Sequence, residues 1–374
     1  MKPLRILLAS AAYRPHPSGV AQHVWNLRRK LEQRGHLPHV LTLAYNGTCR
    51  EPGVTRIARA AVVPANRSRI TLSFHPNLRG RVRRYLAARE FDAIHCHGLF
   101  PPDLGYWVLE NARRPCAVTF HTLGVAIPKP VRNIWRRACR PGWRNIAAPI
   151  AVSEAGRRWA ETWLERDCRV IPNGVALDEF RPGVPAPAWF PHARPVLLFV
   201  GRLDPRKGLA VLLGALPEIL TDHPGTKLVV CGTGPEQARC RKLAGRLGVE
   251  PAVLFAGRVA FDELAGCYAN STAFVSPALG SEAMGIVLIE ALASGTPVVA
   301  SRIPGYDEVV RDGQDGLLCR PGDPRDLARA VKRVLSETGL RNQLAQSARP
   351  RAEAFSWDLV TDKLLQVYEE LELE

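Results

Sequence analysis

The sequence predicts an α/β protein built from two parallel-sheet domains, each sheet covered by helices on both faces. Three observations carry this expectation. Short β-like runs alternate with helical patterns, the alternation is played through twice, and a proline-rich stretch separates the two series. At 374 residues the chain is long enough to bury two cores.

In the first half the β-like runs fall at 5–11, 39–43, 93–97, 117–121 and 149–152. The apolar stretch of the opening MKPLRILLASAAY is too short for a secretory signal and reads as a buried strand. A helix is expected over 20–33, where Val20, Val24, Leu27 and Leu31 keep a spacing of three to four residues. The second half repeats the logic with runs at 196–200, 227–231, 253–255, 273–276 and 298–300, and a helical run at 209–220. Five prolines in residues 180–195 can continue neither a helix nor an inner strand. The expected division is therefore a first domain 1–180, a linker 181–195 and a second domain 196–355. A last helix is expected around 357–371, after a break at Pro350.

Composition narrows the class. No apolar run approaches the roughly 18 residues of a membrane-spanning helix. Nine cysteines are scattered singly without a C-x-x-C pair, so neither a zinc site nor a disulfide framework is indicated, and a reducing cytoplasmic setting is expected. Charge is uneven: residues 1–180 carry 29 Lys and Arg against 12 Asp and Glu, whereas residues 181–374 carry 22 against 23. An excess confined to one domain points to a polyanionic partner there.

The most informative segment reads SEAMGIVLIEA from Ser281 to Ala291, with Glu282 and Glu290 eight residues apart around a glycine and an apolar run. If most of it is helical, the carboxylates lie roughly 12 Å apart along the axis. That exceeds the roughly 5 to 9.5 Å of a glycosidase acid/base pair and suits two contacts on one long ligand. Upstream, GRLDPRKGL places Arg202 and Lys207 between a β-like run and a helical run, where a phosphate would be held. Carboxylates for hydroxyls and cations for phosphates together describe a nucleotide sugar. A helix opening near Met284 adds unpaired N–H groups for a diphosphate, and Gly285 allows close backbone approach.

Taken together, SEAMGIVLIEALASGTPVVAS, GYDEVVRDGQDGLLCRPGD, GRLDPRKG, CGTGPE, AVSEAGRR and VIPNGVALDEF resemble the signature of the retaining glycosyltransferases of family 4, over nearly the whole chain. The resemblance implies the GT-B fold: two Rossmann-like domains with parallel sheets facing an interdomain cleft, and a C-terminal helix at 356–374 crossing back to the first domain. It implies a hexose transferase using a GDP- or UDP-linked donor. Arg202 and Lys207 would offset charge on the leaving diphosphate; Glu282 would contact hydroxyls of the sugar, Glu290 those of the ribose. Met284, Gly285, Ile286 and Val287 would face the diphosphate and Val259 the base. Gly19 and Val20 match the family's glycine-rich loop, with Ser18 where a second glycine is usual. His121, in VTFHT, matches its active-site histidine, near the reaction centre. Ala283 and Met284 stand where the family commonly has Gly-Phe, which bears on donor selectivity.

No metal or other cofactor is expected. No Asp-x-Asp triplet occurs, and the i, i+2 pair His95 and His97 offers no third ligand in the sequence. Two basic features bear on the acceptor. In VRNIWRRACRPGW, Val131, Ile134, Trp135 and Ala138 recur at helical spacing while Arg132, Arg136 and Arg140 occupy another face. Arg79, Arg81, Arg83 and Arg84 form a second cluster. Either this surface meets an anionic membrane, placing the enzyme peripherally at the inner face of the plasma membrane with a lipid or lipid-linked acceptor, or the helix is an ordinary one with its apolar side in the core. A soluble phosphorylated acceptor is the alternative. A GT-B epimerase or phosphorylase is a further reading, the latter without evidence for a pyridoxal lysine. A nucleic-acid module is disfavoured, since no zinc finger, RNA-binding aromatic motif or helix-turn-helix is present.

Overall fold

The computed structural model describes residues 2–16, 18–45, 50–65, 68–121, 123–124, 127–192 and 195–373. They form two units, Met1–Gly174 with Trp357–Glu374, and Val175–Ser356.

The first unit runs β1 (Arg5–Ala9), α1 (Gly19–Gln33), β2 (Leu37–Ala44), β3 (Val54–Arg59), β4 (Ala61–Ala65), β5 (Ser68–Leu72), α2 (Leu78–Ala87), β6 (Ala93–Cys96), α3 (Leu104–Asn111), β7 (Cys116–Phe120), α4 (Lys129–Trp143), β8 (Ile146–Ala151), α5 (Glu154–Leu164) and β9 (Arg169–Val170). Its seven-stranded sheet is parallel in the order β3-β2-β1-β6-β7-β8-β9, with β4 and β5 pairing apart as an antiparallel hairpin. The inner strands are apolar throughout because helices cover both faces: RILLA in β1 and CAVTF in β7 show no alternation. Leu7, Leu41, Val118 and Trp143 meet in one of its cores. The order reverses between β1 and β6, so the loops after these two strands diverge at one point of the carboxyl edge, where open α/β sheets bind ligands.

The second unit runs β10 (Val196–Val200), α6 (Leu209–Asp222), β11 (Lys227–Cys231), α7 (Gln237–Arg246), β12 (Val253–Gly257), α8 (Phe261–Ala269), β13 (Ala273–Ser276), α9 (Ile286–Ala293), β14 (Val298–Ser301), β15 (Gly316–Cys319), α10 (Pro324–Ser336) and α11 (Thr338–Glu353). All six strands are parallel in the order β12-β11-β10-β13-β14-β15, which puts the reversal between β10 and β13. A final helix, α12 (Trp357–Leu373), returns to the first unit. There Lys30 pairs with Asp358 at 2.9 Å, and Tyr368 is fully buried against His95.

Three expectations need correction. The units divide at Gly174/Val175 rather than at 180, and the proline-rich 181–195 belongs to the second unit. Val175 N–H donates to Phe355 O at 2.8 Å, Arg349 binds the carbonyls of Leu177 and Phe180, and the Phe180 ring packs on Phe261 and Tyr268. Prolines exclude regular structure; they do not say which core a segment packs on. Secondly, Pro350 lies inside α11, near its end, and the break comes after Glu353. Thirdly, Glu282 is not helical. α9 starts only at Ile286, so the two carboxylates are not spaced along one axis.

Candidate functional site

In the second unit the loops after β10 and β13 meet at the reversal of strand order. Leu279 N–H donates to Arg206 O at 2.7 Å. Gly208 takes φ 72°, and a Cβ there would lie 1.9 Å from Pro277 O, so only glycine lets the loops approach. Gly285 is likewise left-handed at φ 85°, and its added Cβ would sit 2.5 Å from the Tyr306 ring. That ring is held from beneath by a 2.9 Å hydrogen bond between its hydroxyl and Ser276.

This loop pairing gathers the charged residues. Glu282 is buried and receives two cations: Lys207 Nζ lies 2.8 Å from its Oε1, and Arg206 pairs with the same oxygen. The buried Asp204 carboxylate accepts from Arg202 Nη2 at 2.8 Å and lies 3.6 Å from Arg206 Nε. Arg202, Lys207 and Glu282 thus belong to one network, completed by Asp204 and Arg206, which sequence reading did not single out. Their signal was present in GRLDPRKG, where an acid stands between two arginines.

Glu290 is buried on α9 and accepts from Tyr268 Oη at 3.0 Å. Burial raises its carboxyl to about 7, against the opposing pull of the Tyr268 hydrogen bond and the charge of Lys207. Gly285 caps the N-terminus of α9, where Ile286 and Val287 are half-exposed, while Ala283 and Met284 are buried. Helix first-turn N–H groups lack intrahelical acceptors and favour an anion. Val259 follows β12 and lines a pocket with Arg258, Leu254, Ala256, Glu263 and Trp189. Trp189 Nε1–H donates to Glu263 at 3.0 Å, a contribution from the proline-rich segment that no motif announced.

In the first unit the reversal point is lined by imidazoles. His97 Nδ1 lies 2.9 Å from His121 Nε2, and His95 is fixed by Tyr368 and Thr119 at 2.7 Å each. His23, on the buried stripe of α1 beside Val24, donates from Nδ1 to Asn173 Oδ1 at 3.0 Å. Burial depresses all of them: His23 to about 4, His95 to about 3, His97 and His121 well below the ordinary value. At neutral pH they are uncharged hydrogen-bonding groups. The group whose ring nitrogens lie within 4.8 Å of one another is His23, His97 and His121 rather than the His95 and His97 pair of the sequence reading. Gly19 and Val20 open α1 at the same edge. Ser18 fits without a second glycine because it is extended, at φ −148°, and its hydroxyl caps the helix by accepting from Ala21 N–H.

α4 leaves the apolar face of the amphipathic segment uncovered within its unit. Val131, Ile134 and Trp135 are 44%, 68% and 43% exposed, so this face is not in the core; Cys139, Gly142 and Trp143 anchor the helix instead. Arg140 is exposed, Arg132 is half-buried, and Arg136, also half-buried, pairs with Glu165. Arg79, Arg81, Arg83 and Arg84 are exposed on or beside α2, with Arg79 2.6 Å from Glu110 of α3 and Arg81 bonded to Ile57 O. Both α2 and α4 pack on α3.

Two doubly wound parallel-sheet units, with a network of cations and carboxylates at the switch point of the second, define a glycosyltransferase of the GT-B class. Residues 17–179 match the model described as Glycosyltransferase Family 4, and residues 186–351 match Glycosyl transferases group 1. The chain is 35% identical over 354 residues to a phosphatidyl-myo-inositol mannosyltransferase of Mycobacterium leprae, covering 94% of this chain and 93% of the relative. It is 37% identical over 316 residues to a D-inositol 3-phosphate glycosyltransferase of Acidothermus cellulolyticus, covering 77% and 69%. A solved sucrose-phosphate synthase from Thermosynechococcus elongatus superposes with a TM-score of 0.80 at 25% identity, covering 98% and 99%. The chain belongs to glycosyltransferase family 4.

Proposed function

We propose that this enzyme transfers mannose from a nucleotide-diphosphate sugar to the inositol of a phosphatidylinositol-type lipid, with retention of anomeric configuration, no metal requirement, and at the cytoplasmic face of the membrane. The observation that carries the donor half is the contact of Glu282 with Lys207 and Arg206 at the switch point, beside the N-terminus of α9. An incoming diphosphate competes for these cations and leaves the Glu282 carboxylate to accept sugar hydroxyls. Arg202, Lys207 and the α9 amides offset the charge of the leaving nucleoside diphosphate, the work a divalent ion does in other transferases. Glu290 accepts the ribose hydroxyls. In a front-face displacement the leaving phosphate takes the acceptor proton, and neutral His121 contributes a hydrogen bond near the reaction centre.

The lipid half rests on the exposed apolar face of α4 with Arg132 and Arg140, and on the names of the relatives. The relative named for D-inositol 3-phosphate supports the second reading, a soluble phosphorylated inositol acceptor. Labelled GDP- and UDP-linked mannose, glucose and N-acetylglucosamine, offered in EDTA with either phosphatidylinositol vesicles or free inositol phosphate, separate the two. Label in the lipid fraction as an α-linked hexose supports the proposal. Label only on the soluble acceptor replaces it by the second reading, and no transfer without added metal removes metal independence.

A further inference from the structure

The imidazoles of the first unit carry an inference whose binding site stands on geometry alone and whose effect on transfer rests on the role proposed for His121. His23 Nδ1 bonds the side-chain oxygen Oδ1 of Asn173, which can only accept, so the proton sits on Nδ1 and Nε2 keeps its lone pair. His23 Nε2 is buried and has no hydrogen-bond partner among the described residues; the same holds for His97 Nε2. Two bare imidazole nitrogens in one buried cluster call for an explanation, because a buried polar atom left without a partner is destabilising. The ring centroids of His23 stand 4.6 Å from His121 and 5.4 Å from His97, and those of His97 and His121 are 5.1 Å apart.

We infer that His23, His97 and His121 form a zinc-binding site whose occupancy switches the enzyme off. Three imidazole nitrogens are a donor set that suits zinc. Asn173 supplies the outer hydrogen bond that fixes the tautomer of a ligating histidine, on His23. The widest separation of 4.8 Å exceeds the about 3.4 Å between ligand atoms on bonds of about 2.1 Å, so the rings must turn inward. The His97–His121 hydrogen bond is broken in the process. On the role proposed for His121 above, a ring held by the ion no longer serves transfer, and zinc inhibits an enzyme proposed to need no metal.

Cobalt titrated into the EDTA-treated full chain reads the site apart from activity. One equivalent per chain should give visible d–d absorption that zinc abolishes. His23→Gln and His97→Gln, checked for folding by circular dichroism, should each weaken cobalt binding on the order of 100-fold or more. X-ray absorption at the zinc edge of the loaded wild type, which needs no variant, should show three imidazoles. Zinc at the concentrations that displace cobalt should stop transfer, and EDTA should restore it. Absence of cobalt absorption, fewer than three imidazoles, unchanged binding in both folded variants, or full activity of the zinc-loaded enzyme would each overturn the inference. Loss of the donor-site reading would leave the cobalt and absorption results untouched.

Discussion

Lys207 Nζ lies 2.8 Å from Glu282 Oε1, so a cation assigned to the phosphates and the carboxylate assigned to the sugar neutralise one another before any donor arrives. The pair predicts opposite responses to substitution at its two ends. Glu282→Gln frees Lys207 and Arg206, so nucleoside diphosphate binding should hold or tighten while transfer falls on the order of 10² to 10³. Lys207→Ala should weaken the diphosphate and transfer together. Calorimetry beside turnover measures both, and weakened diphosphate binding in Glu282→Gln contradicts the arrangement.

Asp204 orients two arginines from a buried position. Asp204→Ala should cost roughly tenfold in nucleoside diphosphate affinity, the equivalent of about 1.4 kcal/mol, and lower the thermal midpoint. Asp204→Glu, which keeps the charge, should restore part of both. Wild-type affinity in a folded Asp204→Ala protein would show that the arginines hold their places unaided.

Glu290 predicts a pH dependence. Its folded value, about 7, lies above the ordinary 4.5, so its contribution to stability is complete below about 4.5 and is lost as pH rises through about 7. Between pH 5 and 8 the wild type should lose thermal stability relative to Glu290→Gln. Nucleoside diphosphate affinity should rise over the same window as the ribose-accepting carboxylate forms. The Gln variant isolates this from the ligand's own titration, and parallel profiles for the two proteins would refute it.

Gly285→Ala places a Cβ in a left-handed backbone against the Tyr306 ring. The strain is worth roughly 1–3 kcal/mol, which should lower the thermal midpoint by several degrees and weaken the diphosphate at the α9 N-terminus. An unchanged midpoint, read by calorimetric scanning, would contradict the packing described.

The inner strands were legible because RILLA, VLLFV and KLVVC are buried on both faces and run apolar without a break. Edge strand β3 was not, being half-covered, and neither was β15 at the edge of the second sheet. Arg202, Lys207, Glu282 and Glu290 were readable as residue types in a motif. That Glu282 meets Lys207 was not, since the contact depends on two loops 75 residues apart closing over Gly208. His23 and Asn173 lie 150 residues apart, and only the first unit's sheet brings them together. Exposure of Ile134 and Trp135 was equally hidden, because an amphipathic pattern states that one face differs and not what covers it.

That exposed face predicts anionic-lipid dependence. Liposomes with acidic phospholipid should retain the enzyme, less so with added salt, since screening sets in beyond about 8 Å at 0.15 M. Ile134→Ser with Trp135→Ser, and separately Arg132, Arg136 and Arg140→Ser, should reduce co-sedimentation without altering donor binding. Arg136 should matter least of the three, because Glu165 already pairs with it. Equal sedimentation of all variants would remove α4 from the membrane account.

On the reading proposed above, protein cations rather than a metal hold the donor diphosphate. Calorimetric titration of GDP and UDP into the wild type and Arg202→Ala in the presence of EDTA tests it directly. Binding of one nucleotide by the wild type at undiminished affinity in EDTA, weakened on the order of 10²-fold or more in Arg202→Ala, is the result predicted. Binding that appears only when magnesium or manganese is restored, or that survives loss of Arg202 unchanged, would contradict it.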